Sequence, residues 1–294
     1  MNWDFIYRGE TKHLDDTTRS TVTSGAFLEL SNGFTHYELG GPNTGIPVIL
    51  IHGFSVPYFI WEPTFKSLTS LGFYVLRYDL FGRGFSDRPH LKYDLCLFVR
   101  QLHDLLDRLN FTEGNLIGLS MGGAIASAFT VQEPQRVCKL VLIDPIGAQP
   151  IPLNMLYKAV LLPGISELLL GLISTEKMIN STASVFYNVK DINLLQYQIR
   201  EQLQFKGFKW AILSTLRNRM LDGYPGVYER LGKLHLPILL LWGRNDDTLP
   251  IDQSEQLLKL IPNAEFRVVE NSGHIPHYNR PDFVNPILDQ FLAS

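Results

Sequence analysis

Short runs rich in Val, Ile and Leu recur along the chain at 47–51, 74–78, 115–119, 139–143, 237–242 and 266–269. Continuous apolar runs of strand length, rather than alternating ones, predict strands covered on both faces, the condition of a parallel sheet. Between them the spacing turns helical. Segments 97–109 (LFVRQLHDLLDRL) and 254–261 (SEQLLKLI) repeat apolar residues three and four apart. Strand then helix, repeated, predicts an α/β fold with a doubly wound, mostly parallel sheet. Two earlier segments, 26–30 and 34–39, alternate apolar and polar residues around Ser31-Asn32-Gly33. That composition suits a tight turn with positive φ, so the pair is expected as an antiparallel hairpin at the sheet edge.

The rhythm breaks between 148 and 232, where the chain is apolar and irregular. The reading is a helical cap of residues 148–232 inserted into a core of 1–147 and 233–294. Its leucines are expected mainly to pack the cap onto the core, with some lining a pocket. Its most apolar stretch, 159–173, is interrupted by Pro163, Gly164 and Glu167 and is too short for a membrane span.

Composition narrows the partners. Lys plus Arg (26) nearly balance Asp plus Glu (29), giving a formal net charge of -3, and no basic run stands out. Nucleic acid is therefore not expected as a partner. Cys96 and Cys138 lack CxxC or Cys/His spacing, which argues against a disulfide framework or a zinc site; both are expected as buried free thiols. The first twenty residues are charged throughout with no apolar core, which argues against a signal peptide and for a cytoplasmic address.

Chemistry enters at Gly118-Leu119-Ser120-Met121-Gly122, a G-x-S-x-G placed after a predicted strand and before the small-residue helix MGGAIASAF. Strand, sharp turn and helix form the setting of a nucleophile elbow, and they put Ser120 at a helix N-terminus where negative charge is favoured. A serine hydroxyl needs a base. Among eight histidines, His274 follows the last predicted strand in a Gly-containing loop at the sheet's C-terminal edge, where open α/β sheets build their sites. His277 is the rival, while His103 and His36 fit structural roles. The base in turn needs an acid to fix its tautomer. Asp246 follows strand 237–242 and the turn Gly243-Arg244-Asn245; Asp247 beside it and Asp144 after strand 139–143 are the other candidates. Two N–H donors should stabilise an oxyanion: that of Met121, after the nucleophile, and that of Phe54, in the His52-Gly53-Phe54-Ser55 loop after strand 47–51. His52 reads as a structural residue of that loop and Ser55 as loop or pocket wall.

Together with H-G-F at 52–54 and G-L-S-M-G-G at 118–123, the blocks YDLFGRGFSDRP (78–89), WGRNDDTLP (242–250) and SGHIPHYNRPDF (272–283) resemble the α/β-hydrolase superfamily, in particular its cap-bearing serine esterase and lipase-like members. The resemblance covers nearly the whole chain outside the cap. It implies Asp246 as the acid, three residues after Gly243 and four before Pro250, and His274 as the base. It also implies that Asp79 and Arg83 hold the loops of the strand-four turn. Ser120 stands where the superfamily's dehalogenases and epoxide hydrolases carry Asp, and their mechanism is excluded. Carbon–carbon bond hydrolases usually carry Asn before the serine and Trp after the histidine; here stand Leu119 and Ile275.

The implied activity is hydrolysis of carboxylic esters through an acyl-enzyme, without metal or organic cofactor. Phe54 and Trp61 near the expected site suggest a small to medium apolar or aromatic acyl substrate, a monoglyceride among them. Carbon–carbon bond, lactone or amide hydrolysis by the same triad is the second reading. A ligand receptor or signalling module with slow turnover is the third.

Overall fold

The structure is a computed structural model that describes residues 9–149, 161–162, 164–183, 186 and 192–294. In chain order, α1 (Asp16–Thr21) precedes the hairpin β1 (Ala26–Leu30) and β2 (Gly33–Gly40); then come β3 (Pro47–Ile51), α2 (Glu62–Ser70), β4 (Tyr74–Tyr78), α3 (Leu95–Arg108), β5 (Gly114–Leu119), α4 (Met121–Gln132) and β6 (Val137–Ile143). Helices α5 (Ile165–Leu172), α6 (Thr175–Ala183), α7 (Ile192–Leu203), α8 (Phe208–Arg217) and α9 (Pro225–Leu231) lie between β6 and β7 (Ile238–Gly243). The chain ends with α10 (Gln253–Leu260), β8 (Glu265–Val269), α11 (Pro276–Asn279) and α12 (Pro281–Ala293).

All eight strands form one sheet in the order β1-β2-β4-β3-β5-β6-β7-β8. The hairpin sits at the edge, as its turn chemistry predicts: β1 and β2 pair antiparallel, β2 meets β4 antiparallel, and every pairing from β4 to β8 is parallel. The apolar runs are continuous because each parallel strand feeds two cores. In β3, Val48 and Leu50 join one core while Ile49 and Ile51 join the other; in β7, Leu239 and Leu241 part from Leu240 and Trp242 in the same way. Each such side chain, fully buried, contributes roughly 1.5–3 kcal/mol of transfer free energy. Parallel strands also end together, so the loops after β3, β5, β6, β7 and β8 gather at one edge.

One sequence expectation is corrected. Cys96 and Cys138 are free thiols but are exposed, not buried. Cys96 is in the first turn of α3, and Cys138 lies at the entry of β6, before the Leu140–Ile143 stretch that β7 covers. Within 148–232 the described residues include the helices α5 to α9 joined by turns, while 150–160, 163, 184–185 and 187–191 lie outside the described residues, as do 1–8. Among the described residues no helix is long and apolar enough to cross a membrane.

The turn after β4 is held by a buried ionic contact. Asp79 accepts Tyr58 N–H at 2.9 Å on Oδ1, and Phe85 N–H and His36 Nδ1–H, both at 2.9 Å, on Oδ2. His36 Nε2 lies 2.8 Å from the Ser24 carbonyl, so both ring nitrogens face acceptors and the imidazolium is the form that satisfies both. Burial pushes the His36 pKa down, but the hydrogen bond and charge of Asp79 more than offset it, and the net shift is upward. A raised folded-state pKa gives stability that is complete below the unfolded-state value and disappears as pH rises through the folded-state one. The Tm difference between wild type and His36→Asn should therefore be larger at pH 6 than at pH 9. Thermal melts at the two pH values check this, and an equal difference would remove the charge from the account.

Candidate active site

Ser120 is the single residue between β5 and α4, and its backbone sits at φ 53°, ψ -117°, a conformation side chains rarely adopt. The neighbouring glycines make it attainable. A β-carbon at Gly118 would lie 2.4 Å from the Gly122 carbonyl oxygen, and one at Gly122 would lie 2.2 Å from that of Ile51. The turn is pinned by Ser120 N–H to the Ile143 carbonyl at 2.9 Å, and by Gly123 and Ile146 N–H to the Ser120 carbonyl at 2.9 and 3.1 Å. The Ser120 side chain therefore stands at the N-terminus of a fully helical, buried α4, where the first N–H groups have no acceptor within the helix.

His274 lies in the loop after β8, and its Nδ1 is 2.7 Å from Asp246 Oδ2. The other Asp246 oxygen accepts the N–H groups of Thr248 (2.8 Å) and Leu249 (2.9 Å), an Asx-type turn that aims the carboxylate inward. Nδ1 is thereby the protonated nitrogen and Nε2 is left as an acceptor. Asp247 is exposed and takes no part. The loops are tied together by Asn245 N–H to the Ser272 carbonyl at 2.8 Å.

Asp144, the remaining acid candidate, is not remote. It follows β6 with φ 39°, is fully buried, and accepts Gly243 N–H at 2.9 Å on Oδ1. Asp144, Asp246 and His274 each bring one side-chain donor or acceptor atom within 4.8 Å of the others. Burial first, and then the Asp246 carboxylate, push the Asp144 pKa well above the usual carboxylate range. Within this trio both Asp246 oxygens and His274 Nδ1 already have partners, Thr248 and Leu249 N–H on one oxygen and His274 on the other.

The loop after β3 closes the site. Phe54 and Ser55 line the same cavity as Ser120 and His274. A β-carbon at Gly53 would come 3.3 Å from that of Ser120, so this loop lies directly over the serine. His52 is structural: Nδ1–H donates to the Gly53 carbonyl at 2.9 Å, Nε2 accepts Leu80 N–H at 2.9 Å, and burial lowers its pKa to about 4, so it is neutral. Arg83 anchors the loop from below, donating Nε–H to the Phe54 carbonyl (2.8 Å), Nη1–H to Phe81 (3.1 Å) and Nη2–H to Thr215 Oγ1 on α8 (2.9 Å). Burial lowers its pKa to about 9, which leaves it charged at neutral pH.

His277 is fully buried, 4.2 Å from the Trp61 ring, and burial takes its pKa down to about 3. Trp61, expected near the site, follows the cavity-lining Ile60 directly and packs its ring on His277 of α11. His36 is buried under the β4 turn, and His103 is on α3 near Asp104, Asp107 and Glu133.

The cavity holds about 120 Å³ and is walled by Phe54, Val56, Ile60, Leu119, Leu221 and Ile275, with Ser55 and Thr248 at its polar side. Val56, Ile60, Leu221 and Thr248 were not foreseen. Thr248 was detectable as the residue an Asp two positions earlier would turn back to meet; Leu221 lies in a segment without periodicity and gave no signal.

A sequence profile of the alpha/beta hydrolase family matches residues 48–287. The chain belongs to the alpha/beta hydrolase family. It is 25% identical to monoacylglycerol lipase ABHD6 of Mus musculus over 278 aligned positions, covering 89% of this chain and 80% of that protein. With a 2-hydroxy-6-oxononadienedioate/2-hydroxy-6-oxononatrienedioate hydrolase of Paraburkholderia phymatum it is 27% identical over 302 aligned positions, covering 95% and 99%. The meta-cleavage product hydrolase of Pseudomonas fluorescens matches it in structure with a TM-score of 0.77 at 26% identity, covering 92% of this chain and 98% of that one. The resemblance in the sequence blocks and the eight-stranded fold thus agree on the family.

In this alpha/beta hydrolase, Arg83 joins the Phe54 loop to the helices between β6 and β7 by hydrogen bonds to the Phe54 carbonyl and to Thr215. Arg83→Lys supplies one ammonium for three separated acceptors. We expect a lower Tm and roughly tenfold lower turnover, since a buried acceptor left unsatisfied costs about 1–3 kcal/mol. Melting curves and kcat for one activated ester check it; wild-type values for both would show that the fork is dispensable.

Proposed function

We propose that the protein is a serine hydrolase cleaving carboxylic esters of small apolar acyl groups through an acyl-enzyme. The observation that carries this reading is the cavity: beside Ser120 and His274 its wall is almost entirely apolar and, among the described residues, holds no Lys, Arg, Asp or Glu. Ser120 Oγ attacks the ester carbonyl as His274 Nε2 takes its proton. Asp246 keeps Nδ1 protonated and stabilises the imidazolium. The N–H groups of Met121 and Phe54 receive the charge that develops on the carbonyl oxygen. His274 then protonates the leaving alcohol, and water, activated by the same imidazole, releases the acid. Helices α5 to α9 act as a cap over the pocket, with Leu221 as one of its contributions.

A volume of about 120 Å³ sits just below the ~150 Å³ of a cavity that accommodates benzene. It suits a short acyl chain or a compact ring. The relative from Paraburkholderia phymatum has a dioate in its name. A dianionic substrate would call for cationic side chains, and among the described residues this wall has none. Carbon–carbon bond hydrolysis is the second reading, and what favours it is the similarity to two hydrolases named for such substrates.

Ser120→Ala should lower ester turnover by about 10⁴ or more while the protein stays folded. Asp246→Asn, which permits the wrong tautomer, should cost roughly 10⁴ in kcat, and Asp247→Asn little. Near-complete activity in purified Ser120→Ala would overturn the nucleophile. Tight ligand binding with negligible turnover of every ester would favour a receptor.

Across a p-nitrophenyl ester series, kcat/KM should favour butyrate over palmitate by about tenfold or more, since each seated methylene contributes only ~0.8 kcal/mol and the pocket runs out of room. EDTA should change nothing. Preference for the long chain, or faster cleavage of a 2-hydroxy-6-oxo-dienoate than of any ester, would reject the short-acyl ester reading.

A further inference from the structure

Asp144 has no task in the mechanism above, yet it is fully buried and crowds the acid–base pair. The two carboxyl groups are unequally served. Asp246 receives three N–H groups, from Thr248, Leu249 and His274. Asp144 receives one, from Gly243, while its Oδ2 meets no N–H or O–H donor. The titratable groups around Asp144 are Asp246, from the loop after β7, and His274, from the loop after β8. Two carboxylates in contact away from water cannot both ionise, and the one that accepts more N–H groups keeps the charge. A buried oxygen without a donor beside a carboxylate is satisfied if it carries the proton itself.

We propose that Asp144 is a positioning residue, a neutral carboxylic acid whose Oδ2–H donates to the Asp246 carboxylate and holds it against His274. The assignment rests on the proposed roles of Ser120, Asp246 and His274. Asp144 touches neither substrate nor serine in this scheme; it acts through Asp246. Its raised pKa has the same direction. The donated hydrogen bond fixes the plane of the Asp246 carboxylate and withdraws charge from it, so the imidazolium formed during turnover is stabilised by an anion of controlled basicity. The backbone at residue 144, at φ 39°, turns the side chain back under the β7 turn, where it meets Gly243 N–H.

The test has a readout independent of activity. At neutral pH, the infrared difference spectrum of wild type minus Asp144→Asn should contain the carbonyl stretch of a protonated carboxyl group. Its absence overturns the proposal. In kinetics, Asp144→Ala should lower kcat about tenfold with KM nearly unchanged, the loss expected for a hydrogen bond to a charged group. The rising limb of its kcat/KM profile should move to higher pH, because the Asp246 carboxylate is then more basic. Asp144→Asn keeps a neutral donor and should recover most of that loss and return the limb toward wild type. If Asp144→Asn is as crippled as Asp246→Asn, the charged acid is Asp144 and the proposal is wrong. A wild-type kcat and pH profile in Asp144→Ala would equally overturn it. Should Asp144→Ala fail to fold, the spectrum and the Asn variant still decide. Failure of the underlying reading is separate, since it shows as activity in Ser120→Ala.

Discussion

The close approach of α4 to the ends of β3 and β5 is the constraint on which the rest of the molecule depends. The Ile51 carbonyl oxygen lies 2.2 Å from where a β-carbon at residue 122 would stand. Only glycine lets the helix come so near, and only that proximity forces the chain through the sharp turn at Ser120. From the turn follow the presentation of one hydroxyl to the cavity at a helix N-terminus, the availability of the Met121 N–H, and the seat for the Phe54 loop above it. The buried face of α4 then fills one core, so the strained turn is supported by that packing together with the hydrogen bonds of Ser120 N–H to Ile143 and of Gly123 and Ile146 N–H to the Ser120 carbonyl.

Around that turn, charge is placed where loops must stay still. Each buried ionic group serves a different loop: Asp79 with His36 holds the β4 turn against Tyr58, Arg83 ties the Phe54 loop to α8, and Asp246 joins the β7 and β8 loops through His274. Buried charges are weak contributors to net stability, because desolvation consumes most of the Coulomb gain. Their value here is geometric, since each has partners in fixed directions and loses them all if its loop moves. The apolar pocket is the counterpart of this arrangement: with little water at hand, N–H dipoles and an imidazole act at low effective dielectric.

What could be read in the sequence divides along a physical line. The sheet, its edge hairpin and the convergence of Ser120, Asp246 and His274 were legible because each depends on local pattern: apolar runs, Ser31-Asn32-Gly33, and a polar residue placed just after a strand. Asp247 is an instructive neighbour, since only the Asx turn onto Thr248 and Leu249 decides which of the two carboxylates faces inward. The rest depended on neighbours distant in sequence. Trp61 is expected near the site, but its partner there, the His277 ring of α11, could not be read from local pattern. Cys138 carried an apolar signature, yet β7 does not reach the start of β6, and the thiol is exposed. Leu221 and Ile60 line the same pocket from segments more than a hundred residues apart, a juxtaposition that no periodicity encodes.

Asp144 shows where the two kinds of information meet. From the sequence it and Asp246 are alternatives, each the acid that follows a strand, and the question is which one is used. In the fold β6 and β7 are adjacent and in parallel register from Leu140↔Ile238 to Ile143↔Leu241, so the residues after them must arrive side by side. Two buried carboxyl groups in that position are not alternatives, because the ionisation of one determines the state of the other. The Gly243 N–H bonded to Asp144, and the Thr248 and Leu249 N–H groups bonded to Asp246, break the symmetry between them. On the proposed assignment, which acid carries the charge is a property of the backbone around the pair, three N–H groups at the end of β7 and in the loop after it, rather than of either aspartate.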